Sequence, residues 1–287
     1  MPHETRFVRP PEALLPTLVE AALRSAGRRS APVVWAEHGS HTLVALTDDA
    51  AVRVTRQPHA AHDLLRAQRL VDALPPLPFA VPRSVGDAVE REGYLAVPVQ
   101  RLPGTPEAPT RPDPAVLRDL LDAVHAVPLA PLTAHLAAPR AFCGGDTWQQ
   151  VLHDRVVPLL PADVRDEAVR RVSALAALDA VEPVLNHGDL AGSNLHWQDG
   201  RVVGVLDWDL AAPDDPAEDV AALATSLAAW DVLVGVLDAG TLRRARVFAR
   251  TFPLQVVGYG LLQRRPSAEV ERLVERAGRA LRAEPSV

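Results

Sequence analysis

Two carboxylates and one amide carry the most specific chemistry in this sequence. Residues 186–209 read NHGDLAGSNLHWQDGRVVGVLDWD, with His187, Asp189 and Asn194 in an H-x-D-x-x-x-x-N spacing and Asp207 beyond a hairpin signal. A positioned aspartate can orient a hydroxyl and take its proton. An asparagine oxygen and a second carboxylate are hard ligands that suit Mg²⁺ carried on nucleotide phosphates. The pattern therefore points to phosphoryl transfer from ATP or GTP to a hydroxyl. Asp189 would face the acceptor, Asn194 would bind Mg²⁺, and Asp207 would bridge metal and phosphates.

Composition narrows the setting. The chain has no lysine and no isoleucine, so all 30 of its basic residues are arginine, and its only asparagines are Asn186 and Asn194. Asparagine thus persists in the one stretch where a neutral oxygen ligand is wanted. With 287 residues, 48% hydrophobic and 23% charged, the chain suits a globular protein of one large or two ordinary domains. No apolar run nears the roughly 20 residues that span a bilayer. The N-terminal MPHETRFVRPPE lacks the apolar core of a signal peptide, so the default is a cytoplasmic enzyme without a membrane partner. A net charge of −6 argues against nucleic acid. The single Cys143 excludes an internal disulfide and a multi-cysteine metal site.

The elements that must position these groups fall into two parts. From Val33 to Gln100 the pattern predicts strands at VVWA, HTLVALT, AAVRVT, SVGDAVE and YLAVPVQ, with hairpins at Asp48-Asp49 and around Arg91-Glu92-Gly93. The loop containing Gly39 and Ser40 either covers phosphates or simply turns the chain. Arg53, mid-strand in AAVRVT, is either a phosphate ligand or a solvent-facing strand residue. Ala60, Leu64, Ala67, Val71 and Leu74 mark an amphipathic helix over 59–74, ended by Pro75-Pro76. The Pro-rich run 102–114 is the clearest break. It divides an N-terminal nucleotide-binding lobe, 1–101, from a helical catalytic and substrate-binding lobe, 102–287, with Gln100 to Leu102 offered to an adenine edge.

Beyond the break, helices are predicted over Val116 to Val124, from an Asp146 cap to about Leu159, over 241–263 and over 267–281. In DDPAEDVAALATSLAAW, Asp215 reads as an N-cap, Pro216 as the first helical residue and Glu218 as the third, a capping box.

With these residues in place, the chain resembles the aminoglycoside phosphotransferase family, a branch of the protein-kinase-like fold. HGDLAGSN matches the catalytic loop, VLDWD the metal-binding aspartate and DPAEDVA the start of the helix beneath the site. DWD followed by DPAEDVAA is most similar to the members that act on viomycin and related peptide antibiotics. The resemblance implies an α+β, bilobal fold with an antiparallel sheet lobe and a larger helical lobe. It also implies that Asp189 is catalytic, that Asn194 and Asp207 hold Mg²⁺, that His187 supports the loop, and that Asp219 steadies it through backbone N–H groups. Two positions depart from the pattern. The strand lysine is Arg53, and the helix glutamate that usually pairs it aligns with Arg66, with Asp63 and Gln68 nearby. Either the phosphate clamp is rearranged or the helix is displaced by a turn in the alignment.

The activity so implied is Mg-dependent transfer of a γ-phosphate to a small cationic antibiotic, an aminoglycoside or a viomycin-like peptide. The alternatives are a kinase of another hydroxylated metabolite and a kinase-like module without turnover. Seven acids between Asp199 and Asp219 face a single Arg201 in sequence, and Asp209 and Asp214 among them are candidates for drawing in a cation.

Overall fold

Alternation within AAVRVT decides the architecture of the first half of the molecule. The computed structural model describes residues 8–29, 32–37 and 42–283, so Ser40 lies outside the described residues. The chain forms two units: Met1–Glu107 with Ala130–Leu136 and Asn194–Asp209, and Ala108–Leu129 with Ala137–Ser193 and Leu210–Val287.

The first unit opens with helix α1 (Leu15–Ser25) and strands β1 (Val34–Ala36), β2 (Thr42–Leu46) and β3 (Ala50–Thr55). Helix α2 (Ala61–Ala73) and strands β4 (Val89–Arg91) and β5 (Tyr94–Gln100) follow. The sheet is antiparallel throughout, in the order β1-β2-β3-β5-β4. Every residue of β3 is buried, because both faces of this central strand are covered. Side chains alternate across a sheet. Val52 and Val54 therefore join Leu43, Ala45 and Ala96 under the α1 residues Leu15, Leu18, Val19, Ala22 and Leu23. Ala51 meets Leu64 of α2 with Leu95, Val97 and Val99 on the opposite face. Arg53 shares the parity of Ala51 and so faces the α2 side.

The predicted SVGDAVE strand forms only at its end, from Val89. Upstream, Asp72 ties down Ser84 through the backbone N–H at 2.8 Å and the hydroxyl at 2.6 Å. Gly86 then lies against the end of α1, where a Cβ would come within 2.5 Å of Ala26 N. The stretch meets β5 in a single antiparallel bridge, Ser84 opposite Val99, with Val85 N–H donating to Pro98 O at 3.0 Å, and Gly86 then breaks the ladder against the helix end until Val89.

The first unit also holds a hairpin with strands Leu195–Gln198 and Arg201–Val205. Its loop is Asp199-Gly200, both left-handed at φ 50° and 73°, as a two-residue type I′ turn requires. The turn sets Gln198 opposite Arg201, and a bulge between His196 and Trp197 shifts the register by one residue, so that Leu195 faces Val205. Asn194 and Leu206 are thereby left just beyond the open end, where Leu206 N–H donates to Asn194 O at 2.8 Å. Ala80 grips the second strand through bonds of 2.9 Å to Val203 and Val205, and Thr105 grips the first at Trp197.

The second unit contains α3 (Pro114–His125), α4 (Trp148–Gln150), α5 (Arg165–Ala176), α6 (Ala217–Ser226), α7 (Trp230–Leu233), α8 (Ala239–Leu262) and α9 (Ser267–Ala283). Helix α8 packs against α5, α6 and α9. The strands Val184–Asn186 and Ala212–Asp214 pair antiparallel, with Asn186 facing Ala212 and Val184 facing Asp214. The expectation that Asp146 caps a regular helix is not met. Gly144 and Gly145 turn the chain at φ 116° and 54°, and a 3₁₀ turn precedes α4, which runs into a π-helical stretch over Val151–Val156. The wide turns bury Val151, Leu152 and Val156, and Gly258 of α8 supplies the room, since a Cβ there would lie 3.2 Å from Leu152.

Candidate functional site

Asp189 follows the buried strand Val184–Asn186 on a turn that one carboxylate organises. His187 N–H donates to Asp219 Oδ2 at 2.8 Å, and Gly188 N–H donates to Asp219 Oδ1 at 3.1 Å. Asp219, in the first turn of α6, is fully buried, and His125 Nε2 stands 3.3 Å from its Oδ2. Its own N–H is directed at Asn186 Oδ1, at 3.3 Å. The imidazole of buried His187 accepts the Asp189 N–H at Nδ1, 3.2 Å away. Gly188 has φ 79°, and a Cβ there would stand 2.4 Å from Leu210 O, so only glycine fits. Asp189 itself is half-buried. Gly192 N–H is held by Ser226 Oγ at 2.9 Å, which fixes the far side of the loop to the end of α6.

Asn194 and Asp207 belong to the first unit, at the open end of the 195–205 hairpin. Asn194 is half-buried and Asp207 exposed, the latter in the left-handed region at φ 60°. Aspartate tolerates that conformation better than most residues, and such strain is typical of functional turns. The next residue, Trp208, is fully buried and donates Nε1–H to Val205 O at 3.1 Å, anchoring the turn.

Asp209 then turns back toward the sheet. Arg53 Nη2 donates to both of its carboxylate oxygens at 2.8 Å, with the arginine side chain 9% exposed and the aspartate 21%. Burial alone would lower the pKa of Arg53, but the charges of Asp209 and then Asp207 outweigh it and hold the guanidinium above its ordinary value. Arg66 of α2 approaches the same segment, donating Nη2–H to Asp209 O at 2.8 Å and Nη1–H to His135 O at 2.7 Å. The helix position aligned with the family's glutamate thus carries a cation that binds main-chain carbonyls.

Much of the acidic run is engaged inside the protein. Asp209 serves Arg53, and Asp214 accepts from Arg140 Nη1 at 2.8 Å. Asp214 sits opposite Val184, at the end of its strand pair away from the His187 turn. It lines an open 330 Å³ cleft with Arg140, Trp148, Asp215, Arg244 and Phe248. Asp215 caps α6 by accepting Ala217 N–H at 3.0 Å and takes Arg244 Nε–H at 2.7 Å. Glu218 does not reach back to complete a capping box. Burial raises its pKa well above the ordinary value of 4.5, and neighbouring Asp214 raises it further, while Arg140 opposes. Arg140 is itself left-handed at φ 54° and lies over Trp148 and Phe248, 5.4 and 5.7 Å from the ring centroids. Neither its conformation nor its partners have a local signal in the sequence.

Gln100 donates its backbone N–H to Arg83 O at 2.8 Å, while buried Leu102 packs over Gly204 of the hairpin. Cys143 is fully buried, and burial pushes its thiol up to about 12, so it is inert as a nucleophile. Among the described residues, no helix is long and apolar enough to cross a membrane.

A carboxylate-held loop bearing Asp189, on a chain with a five-stranded antiparallel sheet and a mainly helical remainder, defines a kinase-like phosphotransferase. Residues 24–252 match the phosphotransferase enzyme family, and the chain belongs to that family. It is 31% identical over 242 residues to viomycin phosphotransferase of Streptomyces vinaceus, covering 77% of this chain and 82% of the relative. Its fold is similar to that of aminoglycoside 2′-phosphotransferase-IIIa in a GDP complex, with a TM-score of 0.77 at 19% identity over 94% of this chain and 99% of that one. It is also similar to a thermostable aminoglycoside phosphotransferase (4)-Ia mutant in a ternary complex with ADP and hygromycin B. There the TM-score is 0.67 at 17% identity, over 94% of this chain and 99% of that one.

Proposed function

We propose that this phosphotransferase moves the γ-phosphate of ATP or GTP, with Mg²⁺, to a hydroxyl of a small cationic antibiotic of the viomycin or aminoglycoside type, and so inactivates it. The observation that carries this reading is the 187–189 turn, whose backbone is held by Asp219 so that Asp189 is presented in a fixed conformation. Asp189 orients the acceptor hydroxyl and takes its proton as the oxygen bonds to phosphorus and the bond to the nucleoside diphosphate breaks. Asn194 and Asp207 supply one amide oxygen and one carboxylate, a donor set that fits an ion which keeps water and phosphate oxygens as its other ligands. When bound, Mg²⁺ offsets the charge on the phosphates. Arg53 adds a fixed cation for the same phosphates, and the backbone from Gln100, whose N–H is already given to Arg83 O, to Leu102 is offered to the base. Division of labour between an N-terminal nucleotide lobe and a helical acceptor lobe belongs to this reading.

The relative named for viomycin supports the acceptor class, and the GDP and ADP held by structural neighbours support a nucleotide donor. The test is incubation with Mg-ATP or Mg-GTP and, in turn, viomycin, kanamycin and hygromycin B. Mass spectrometry should find one phosphate added to at least one of them. Nucleotide binding without phosphate on any antibiotic would move the acceptor to another class of hydroxylated metabolite. Asp207→Ala should abolish Mg-dependent turnover in the same assay.

A further inference from the structure

We infer that Asp209 is the positioning residue of the phosphate clamp: it takes the place of a glutamate at the α2 position that carries Arg66, aims Arg53, and is itself fixed through its main chain by Arg66. The inference rests on the reading of Arg53 as a phosphate ligand.

An arginine as buried as Arg53 needs a partner, because an uncompensated charge there would be strongly destabilising. Helix α2 offers Arg66 at the position aligned with the usual glutamate, and the carboxylate that meets Arg53 comes from Asp209, 156 residues further along the chain. Arg66 points both of its terminal nitrogens at carbonyl oxygens, those of Asp209 and His135. A glutamate there would set its carboxylate against those oxygens, so the inverted charge on α2 and the acid at position 209 belong to one arrangement.

Its consequence is that Asp207-Trp208-Asp209 works as a unit in which each residue has one task. Asp207 is exposed, Trp208 is the buried anchor, and Asp209 returns to Arg53. The proposed metal ligand and the partner of the phosphate arginine thus share one short turn. The pair uses a single guanidinium nitrogen, Nη2, and the planar fork has two more with which to meet phosphate oxygens. This assigns Asp209 to the nucleotide rather than to the acceptor.

The test is a double-mutant cycle on ATP affinity, measured by calorimetry without Mg²⁺ or acceptor, so that neither metal binding nor turnover enters. Asp209→Asn should weaken ATP binding about tenfold, as expected when a charge-assisted contact loses its geometry. In an Arg53→Ala background the same substitution should change affinity by less than about twofold, because Asp209 acts through Arg53. Tighter binding in both backgrounds would mean that Asp209 merely repels phosphate, and equal weakening in both would mean a general structural role. Either result overturns the inference, as does, in a separate steady-state assay of Asp209→Asn, an acceptor KM that rises while ATP affinity holds. Asp209→Glu should restore part of the affinity. If Asp209→Asn fails to fold, Arg66→Gln, which frees the Asp209 main chain, should give a smaller loss of ATP affinity, and an unchanged affinity would overturn the proposal. Wild-type protein that binds no ATP would overturn the nucleotide reading and this inference with it. Wild-type binding with unaltered variants would overturn this inference alone.

Discussion

Asp219 and Asp209 each hold a residue to which the proposed chemistry gives a role, and they do so by opposite means. Asp219 is fully buried and accepts two neutral main-chain N–H groups from the turn that carries Asp189. Asp209 is partly open and holds one charged side chain, Arg53. A hold on the backbone is indifferent to the side chains of the held segment and depends on the turn geometry. A hold on a side chain depends on which residue sits at one distant position. The first should therefore act mainly on stability and loop shape, and the second mainly on nucleotide affinity.

Removing the buried acceptor should produce the largest effect. In Asp219→Ala the N–H groups of His187 and Gly188 lose their partner in a site with little water. Stability should fall by about 3 kcal/mol, the sum expected of two unsatisfied donors. An unfolding free energy from denaturant titration that falls by less than about 1 kcal/mol would show that the turn holds itself and would dissolve the contrast with Asp209.

Gly188→Ala attacks the same hold from the other side. The positive φ and the 2.4 Å approach to Leu210 O leave no place for a Cβ, so the turn must move. Thermal melting should report a loss of at least about 1 kcal/mol, with turnover reduced more than nucleotide affinity. Retention of both turnover and melting temperature would mean that the loop is looser than Asp219 makes it.

Glu218 sharpens the comparison with the smallest effect. It neighbours Asp219 in sequence, but burial and then Asp214 hold its carboxyl well above the ordinary carboxylate range, while Arg140 opposes them. A carboxyl raised in this way contributes stability that is fully present below its unfolded value near 4.5, and that stability is lost as pH rises through the folded value. Glu218→Gln mimics the protonated form. The variant should match the wild type within about 0.5 kcal/mol at acid pH and gain on it as pH rises above 4.5. A constant difference across the titration would mean that Glu218 is ionised in the fold.

The two holds also differ in how far they can be read from sequence. The stretch 185–227 was legible because its logic is local: the Asp-Gly turn, the Asp215 cap and the N-terminal turn of α6 lie within a few residues of what they organise. Strands β2 and β3 and helix α2 followed from alternation and three- and four-residue spacing. The Arg53–Asp209 pair was invisible because its partners are 156 residues apart and joined only by the folded sheet. For the same reason Asp209 and Asp214 read as surplus acids, their arginine partners being distant in sequence. The π-helical turns over Val151–Val156 follow from the room at Gly258, which no local pattern announces. Helix α1 is a different case, since the buried Leu15, Leu18, Val19, Ala22 and Leu23 form a plain helical stripe at three- and four-residue spacing, as local a signal as that of α2.

The most direct test of phosphoryl transfer through Asp189 is Asp189→Asn, assayed for turnover and for nucleotide affinity on the same preparation. The amide keeps the shape and can still hydrogen-bond the acceptor, but it cannot take the proton. The prediction is a kcat lower by roughly 10²–10⁴-fold, the range of a lost general base, with the dissociation constant for ATP within a few-fold of wild type. A variant that retains most of its kcat, or one whose ATP affinity collapses along with kcat, would contradict the assignment of Asp189 as the base.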